Sequence, residues 1–199
     1  MKTLVYILLL VSLLFSKDDF QEIKNLYYKS YNYEYMGKYK EAVKVLAPIY
    51  KKYPTGYTLN LRFAWLFYLS KKYTDALKYY KKASLLNSYA TDPKLGMIRI
   101  YLTIQDYKNA QMIAYQLLKI DYYNYYANLY AIKALIAQKK YTIATTIIKK
   151  MLSLYPTNIA YLEELYKIYL VTNSPHTKKL KQDILILDPN NVLVHKKIK

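Results

Sequence analysis

The chain of 199 residues contains no cysteine. It therefore forms no disulfide, offers no thiolate to a metal and has no cysteine that could carry a lipid anchor. Glycine and proline are scarce, at 3 and 6 residues, which excludes a flexible linker rich in either residue. The glycines, Gly37, Gly56 and Gly96, form no phosphate-binding loop. The length is that of one sizeable domain or one short array of repeats.

Acidic residues are few as well. The 13 Asp and Glu residues stand against 31 Lys and Arg residues, for a formal net charge of +18. Such an excess is typical of proteins that bind nucleic acid, an anionic membrane or an acidic protein. All the basic residues except Arg62 and Arg99 are lysines, and many lysines fall in turns or late in the predicted helices, where a cation suits the helix dipole and water. We therefore favour a solvated surface over a dedicated site for a polyanion.

Candidate catalytic or metal-binding residues are sparse. The two histidines, His176 and His195, lie far apart along the sequence, and neither has a carboxylate at helical spacing. Metal sites and acid–base pairs need a clustered set of such groups. The adjacent acids Glu163 and Glu164 face different ways on a helix. The sequence thus predicts no enzyme, no metal site and no cofactor.

The one long hydrophobic run lies at the N-terminus, where an apolar stretch from Leu4 to Phe15 is flanked by Lys2 and Lys17. This pattern is typical of a secretory signal peptide, and the run is short for a membrane span of about 20 residues. We predict that residues 1–16 are a signal peptide or an uncleaved signal anchor. Either form would export the protein, leaving it periplasmic or membrane-anchored and facing away from the cytoplasm. The alternative is a buried helix of a cytosolic protein.

A constant interval of 34 residues separates similar residues along the rest of the chain. Tyrosines recur at this interval, and each is followed three residues later by an alanine: Tyr39, Tyr73, Tyr107 and Tyr141, with Ala42, Ala76, Ala110 and Ala144. Around them, apolar residues recur every three or four positions, which is the period of an amphipathic helix. The pattern predicts a helix-turn-helix pair that is repeated along the chain.

This 34-residue pattern resembles the tetratricopeptide repeat (TPR). Three further features match the family. The first helix has a small residue at Ser30 and Ala64, followed by an aromatic residue at Tyr33 and Phe67. The repeat ends in a proline at Pro54 and Pro156. The chain departs from the family at Ile98 and Ile132, which replace the small residue. The resemblance implies an all-α, right-handed α-solenoid of about five TPR-like repeats. They would cover residues 23–56, 57–90, 91–124, 125–158 and 159–189 of a solenoid at 17–190.

The two ends of this array are expected to differ from its middle. We predict that the first helix begins near Phe20, behind Asp18 and Asp19, whose charges favour the positive end of the helix dipole. In the fifth repeat, Lys178 stands where the periodic alanine should be. A polar last repeat is typical of the end of a solenoid. Residues 190–199 would form a C-terminal cap or tail.

In the TPR family, the first helix of each pair lines the concave face to which ligands bind. Through that resemblance, the central row of this face, with one member in each repeat, is Tyr31, Trp65, Arg99, Lys133 and Lys167. Flanking positions add Tyr27, Leu61 and Leu95 on one side, and Tyr35 and Tyr68 on the other. The face is aromatic in the early repeats and basic in the later ones, and large aromatic residues and Arg are favoured anchors of protein contacts.

The resemblance therefore implies a non-catalytic scaffold or adaptor that binds a peptide or partner protein in its concave groove. The partner is expected to carry apolar and acidic segments. The alternative is a basic protein that binds polyanions or a membrane surface, without specific recognition of nucleic acid. An N-terminal segment that is retained would also associate the protein with a membrane. A third alternative is an accessory subunit whose partner holds an active site.

Overall fold

The computed structural model describes the backbone of residues 2–195 and the side chains of residues 19–195. Over the described backbone, the chain forms eleven α-helices and no β-strand. It divides into two compact units, Met1–Ser88 and Tyr89–Lys199, which we call the N-terminal unit and the C-terminal unit. Each unit is built of antiparallel helix pairs joined by tight turns. The all-α fold class predicted from the sequence is confirmed.

The N-terminal unit contains two helix pairs. They are α1 (Lys2–Tyr35) with α2 (Tyr39–Lys52), and α3 (Tyr57–Leu69) with α4 (Tyr73–Leu86). Each helix contacts the next along the chain. The core between them contains Ala42, Leu46, Leu59, Phe63 and Leu66. Ala42 is fully buried, and a larger side chain there would push the helix axes apart.

Helix α1 begins at Lys2, so the prediction of a start near Phe20 is wrong. No proline or glycine occurs between residues 2 and 35, and the leucine-rich run has high helix propensity. Asp18 and Asp19 therefore lie within the helix instead of starting it. The predicted signal segment, residues 1–16, lies outside the residues whose side chains are described, and its role stays a prediction. Within the described residues, no helix has both the length and the apolar character needed to cross a membrane.

The C-terminal unit contains three helix pairs and a short last helix. The pairs are α5 (Asp92–Thr103) with α6 (Tyr107–Leu118), α7 (Tyr125–Ala137) with α8 (Tyr141–Leu154), and α9 (Ile159–Val171) with α10 (Thr177–Leu187), followed by α11 (Val192–His195). Successive helices contact each other, and the first helices also contact one another, α5 with α7 and α7 with α9. The first helices therefore form a continuous face within this unit.

Polar side chains fix where three of these helices begin. Oδ1 of Asp106, Asn124 and Asn158 accepts a hydrogen bond from the backbone N–H three residues later, at 3.2, 3.0 and 3.3 Å. Each bond satisfies an amide that has no partner inside its own helix. The caps define the starts of α6, α7 and α9.

The turn inside every helix pair contains one residue with a positive φ. These residues recur at the same interval as the tyrosines: Gly37 at 70°, Lys71 at 58°, Gln105 at 61°, Lys139 at 60° and Asn173 at 51°. The next amide donates to a carbonyl five residues earlier, as from Lys72 to Phe67 and from Lys140 to Leu135, both at 2.9 Å. This is a Schellman motif, which closes the C-terminus of a helix. All five turns share it, although only one of them contains glycine.

The last helix pair departs from the register of the others. Helix α10 begins at Thr177, two residues later than the register predicts, after a turn that contains Pro175. As a result, Leu180 and Ile184 take the buried positions, and Lys178 lies exposed on the surface. The shift explains how the pair keeps an apolar core without the periodic alanine.

Helix α11 covers the end of the C-terminal unit. The Val194 side chain is 1% exposed. Asn191 Nδ2 donates to Glu163 Oε1 at 2.7 Å and to Asp188 Oδ2 at 3.0 Å, which ties the segment to α9 and to the end of α10. Residues 196–199 of the predicted cap or tail lie outside the described residues.

Candidate functional site

In the N-terminal unit, the predicted groove residues lie on α1 and α3. Tyr31 and Tyr35 are exposed, whereas Tyr27, Leu61, Trp65 and Tyr68 are half-buried. The Trp65 and Tyr68 rings stack with centroids 5.6 Å apart, and the Tyr27 and Tyr31 rings lie 6.4 Å apart. We call this set of six residues the aromatic face.

A buried ion pair that the sequence analysis missed supports the aromatic face. The Arg62 guanidinium lies under the Tyr31 ring, 4.0 Å from its centroid, and Nη1 donates to Glu34 Oε2. Nη2 donates to Ser30 Oγ at 3.1 Å. The other Glu34 oxygen accepts a hydrogen bond from Trp65 Nε1 at 2.7 Å. Glu34 therefore joins α1 to α3 and orients the indole, while its charge is balanced by Arg62.

The phenol of Tyr27 contributes no charge to this face near neutral pH. Burial raises the pKa of Tyr27 above its ordinary value, and this effect outweighs the opposing effect of a hydrogen bond with Thr58. With Glu34 paired to Arg62, the aromatic face presents rings and hydroxyl groups without a net charge.

In the C-terminal unit, the predicted residues Arg99, Lys133 and Lys167 lie on α5, α7 and α9. Glu164, which is only 4% exposed, lies 2.9 Å from Lys167 Nζ and 3.9 Å from Lys133 Nζ. The two lysine side chains are 39% and 45% exposed, so they remain accessible to a ligand. We call Arg99, Lys133, Glu164 and Lys167 the basic face, because Lys133 and Lys167 share a single carboxylate.

Leu95, the remaining predicted groove residue, packs against the core of the C-terminal unit. It is half-buried and contacts the cluster that contains Ile98, Ala110 and Ala131. Its packing is that of a core residue at the edge of α5.

Arg62 and Glu164 occupy the same position of their repeats, three periods apart. The position also holds Tyr28, Gly96 and Tyr130. Because its chemistry changes from repeat to repeat, it did not stand out beside the aromatic and cationic rows. The sequence signal for these two ion pairs is a charged residue, Arg62 or Glu164, on the otherwise apolar side of a first helix.

The carboxylates at the two faces already have partners, and no cluster of metal ligands accompanies them in the described part of the chain. Within residues 19–195, no group of three His, Asp or Glu side chains could hold a metal ion. The carboxylates of Glu34 and Glu164 are engaged by cations or by the indole N–H. The N-terminal unit presents an aromatic surface, and the C-terminal unit presents positive charge.

No protein-family model and no curated protein matches the sequence. Solved structures do match its fold. A tetratricopeptide repeat protein from Parabacteroides merdae superposes with a TM-score of 0.79 at 16% identity, over 87% of this chain and 70% of that one. MamA from Desulfovibrio magneticus gives 0.73 at 14% identity, over 86% and 97% of the two chains.

YrrB, described as a TPR protein with an unusual peptide-binding site, gives a TM-score of 0.71 at 9% identity, over 90% of this chain and 93% of that one. At such identities the likeness concerns the fold alone. Together with the periodic helix pairs and their repeated turns, it confirms the resemblance found in the sequence: the chain has the tetratricopeptide-repeat fold.

Proposed function

We propose that this protein is a non-catalytic scaffold or adaptor that binds a peptide or a segment of a partner protein on the faces of its first helices. One observation carries the proposal: in each unit a carboxylate holds partly exposed side chains of the first helices in place. Glu34 orients Trp65, and Glu164 engages Lys133 and Lys167. Side chains that are ordered before binding lose less freedom when a ligand arrives. The peptide-binding site of YrrB, which shares the fold, supports this use of the faces.

The charges of the two faces indicate the chemistry of the partner. The aromatic face is neutral, so it suits an apolar or aromatic segment. On the basic face, two accessible lysines share one carboxylate, so this face suits an acidic segment. We therefore propose a partner that carries both kinds of segment.

Site-directed photo-crosslinking in cells tests the proposal. A photoreactive residue is placed at Tyr31 and, in a second variant, at Lys133, which are 52% and 45% exposed. The matched controls are Lys44 and Lys108, which are exposed on the second helices α2 and α6. We expect one or two defined proteins to be captured from the first two positions and not from the controls. Equal capture from all four positions would refute the proposal.

Binding measurements with the purified captured partner give the second test. We expect Trp65→Ala to weaken binding by about 2 kcal/mol or more, as for an aromatic anchor. Lys133→Gln should weaken it as well, because Glu164 keeps Lys167 as its partner while the basic face loses one charge. Lys108→Gln should have no effect. Thermal melts of each variant separate a loss of binding from a loss of folding.

A second candidate function is binding to a polyanion or an anionic membrane surface. The observation that favours it is a set of exposed lysines on the second helices of the N-terminal unit: Lys40, Lys44, Lys51, Lys78 and Lys81. Binding through these lysines should fall steeply with salt concentration. Binding through the aromatic face should depend on salt much less, and it should be lost in Trp65→Ala.

We also propose that residues 1–16 direct export, so that the repeats face away from the cytoplasm. The flanked apolar run supports this. Cell fractionation combined with N-terminal sequencing of the mature protein tests it. Recovery of the full-length chain in the cytosol would contradict export.

A further inference from the structure

A cavity of about 380 Å³, open to solvent, lies on the surface of the C-terminal unit between α8 and α9. The polar part of its lining consists of hydroxyl groups and one cation: Thr142, Thr145, Thr146 and Lys149 on α8, Thr172 at the end of α9, and Ser174 in the following turn. Tyr141, Ile168 and Tyr169 form the apolar remainder. No acidic residue lines it. Its volume is within the range of small-molecule sites. It shares no residue with the basic face.

The preceding helix pair shows why the cavity exists. At the equivalent place between α6 and α7, three long side chains form a hydrogen-bonded network. Gln138 Nε2 donates to Gln111 Oε1 at 2.9 Å and to the Tyr107 carbonyl at 3.2 Å. Lys140 Nζ donates to Gln111 Oε1 at 3.1 Å and to Gln138 Oε1 at 2.8 Å. These side chains fill the space between the helices.

One repeat later, the three equivalent positions hold Thr145, Thr172 and Ser174. Each side chain is shorter than its counterpart, and none can span the gap between the helices. The cavity therefore results from the short side chains at these positions and does not follow from the repeat itself.

The polar groups around the cavity define the chemistry of a ligand. The Thr146 and Thr172 hydroxyls donate to carbonyls of their own helices, at 3.1 and 2.8 Å, so each oxygen is left to accept a hydrogen bond from a ligand. Ser174 Oγ accepts from the His176 N–H at 3.3 Å, which leaves its own proton to be donated. Lys149 supplies the positive charge. A matching ligand donates and accepts hydrogen bonds and carries a negative charge.

The lining is also elongated. Thr142 and Lys149 are seven residues apart on α8, which separates them by about 10 Å along the helix axis. We propose that the cavity binds a small polyhydroxylated anion. The hydroxyls of the ligand bond to the threonines, and its anionic group bonds to Lys149. This site goes beyond the peptide-binding function proposed above and does not depend on it.

Titration of the full-length protein with glucose 6-phosphate, followed by two-dimensional NMR, tests the proposal. We expect saturable binding in the millimolar range or tighter, with the largest shifts at the backbone amides of Thr145, Thr172 and Ser174. Glucose and inorganic phosphate, each tested alone, should bind more weakly. Lys149→Gln should weaken glucose 6-phosphate binding about tenfold through the loss of one charged hydrogen bond. The matched control Lys108→Gln should leave it unchanged.

A triple variant gives the decisive comparison. Thr145→Gln, Thr172→Gln and Ser174→Lys together introduce the side chains that fill the preceding helix pair, and they should abolish binding while the protein stays folded. If that variant does not fold, Thr145→Val replaces it, because valine keeps the shape and removes the hydroxyl. Binding that persists in the triple variant, or that is unchanged in Thr145→Val, would overturn the proposal. So would equal affinity for inorganic phosphate and glucose 6-phosphate, or the absence of binding to all three probes.

Discussion

The guanidinium of the buried Arg62 lies 4.0 Å from the centroid of the exposed Tyr31 ring, so a cation on α3 supports an aromatic ring on α1. The same group pairs with Glu34, which in turn orients Trp65. One charged side chain thus holds both aromatic anchors of the N-terminal unit. The stability of this unit and the order of its aromatic face are therefore linked.

We expect Arg62→Met to destabilise the protein, because it leaves Glu34 without its cation. Removing one partner of a buried ion pair costs about 3–5 kcal/mol. Since the Glu34 side chain is 22% exposed, water offsets part of this cost, and a loss of about 2–3 kcal/mol is expected. Urea denaturation measures it. A cycle with Glu34→Gln and the double variant is the control, and strictly additive effects would show that the two residues are not coupled.

The five left-handed turn residues lead to a second prediction. Gln105 adopts φ 61°, a conformation that costs a side chain about 1 kcal/mol and glycine almost nothing. We expect Gln105→Gly to raise the free energy of unfolding by about 0.5–1 kcal/mol. Lys108→Gly, three residues later inside α6, should lower it by about 1 kcal/mol. Thermal melts of both variants check this, and a loss of stability in Gln105→Gly would contradict the turn geometry.

Lys94 occupies a position that holds asparagine in the repeats before and after it. Nδ2 of Asn60 and of Asn128 each donates to two backbone carbonyls, at 2.8–3.0 Å. Lys94 Nζ donates to the Ala90 carbonyl at 3.3 Å, and its side chain is only 7% exposed. We expect Lys94→Asn to stabilise the protein by about 1 kcal/mol, because a buried charge is replaced by a neutral donor of matching geometry.

The stability gained by Lys94→Asn should depend on pH, because lysine carries a titratable charge and asparagine does not. Burial lowers the pKa of Lys94, so the unfolded chain binds this proton more tightly than the folded protein does. The stability of the parent protein should therefore rise as the pH increases from the lowered pKa towards the ordinary value for lysine. The advantage of Lys94→Asn should be full near neutral pH and should shrink over that alkaline range. Denaturation of both proteins at a series of pH values measures the difference, and an advantage that grows with pH would contradict it.

The periodic alanines give a prediction about packing. Ala76 is fully buried between α3 and α4, so Ala76→Leu should overpack the helix crossing and cost about 1–3 kcal/mol. Ala47, which is exposed on α2, is the matched control, and Ala47→Leu should be nearly neutral. Differential scanning calorimetry checks both variants. An unchanged transition for Ala76→Leu would count against a close crossing at this position.

The sequence predicts most helices closely, because short-range signals set their ends. The periodicity predicts helices at about 125–137, 141–154 and 159–171, which are the observed bounds of α7, α8 and α9. Two of them begin behind the capping residues Asn124 and Asn158. The prediction fails at α10, because the register is carried by spacing alone and two residues are added around Pro175. It fails at the start of α1, because Asp18 and Asp19 are compatible with a helix interior as well as with a helix start.

The candidate site could be predicted only in part. The periodic rows place Tyr31, Trp65, Lys133 and Lys167 on first helices, since those positions follow from the repeat. Which carboxylate contacts these residues does not follow from the repeat. The contacts Glu34–Trp65 and Lys133–Glu164 span the same number of residues, but the carboxylate comes first in one and last in the other, so it occupies a different position of the repeat each time. Such pairs depend on side-chain direction between helices, which periodicity does not encode.

The constant interval between the left-handed residues Gln105, Lys139 and Asn173 also restricts how the gene for this protein can change length. Duplication or deletion of a coding segment that spans one whole interval returns every following residue to an equivalent position. One extra codon inside a helix instead rotates all later side chains of that helix by about 100°. The two additional residues before α10 lie in a turn, where they move the start of the helix without interrupting it. Length variation among natural homologues should therefore fall in whole repeats or in the turns.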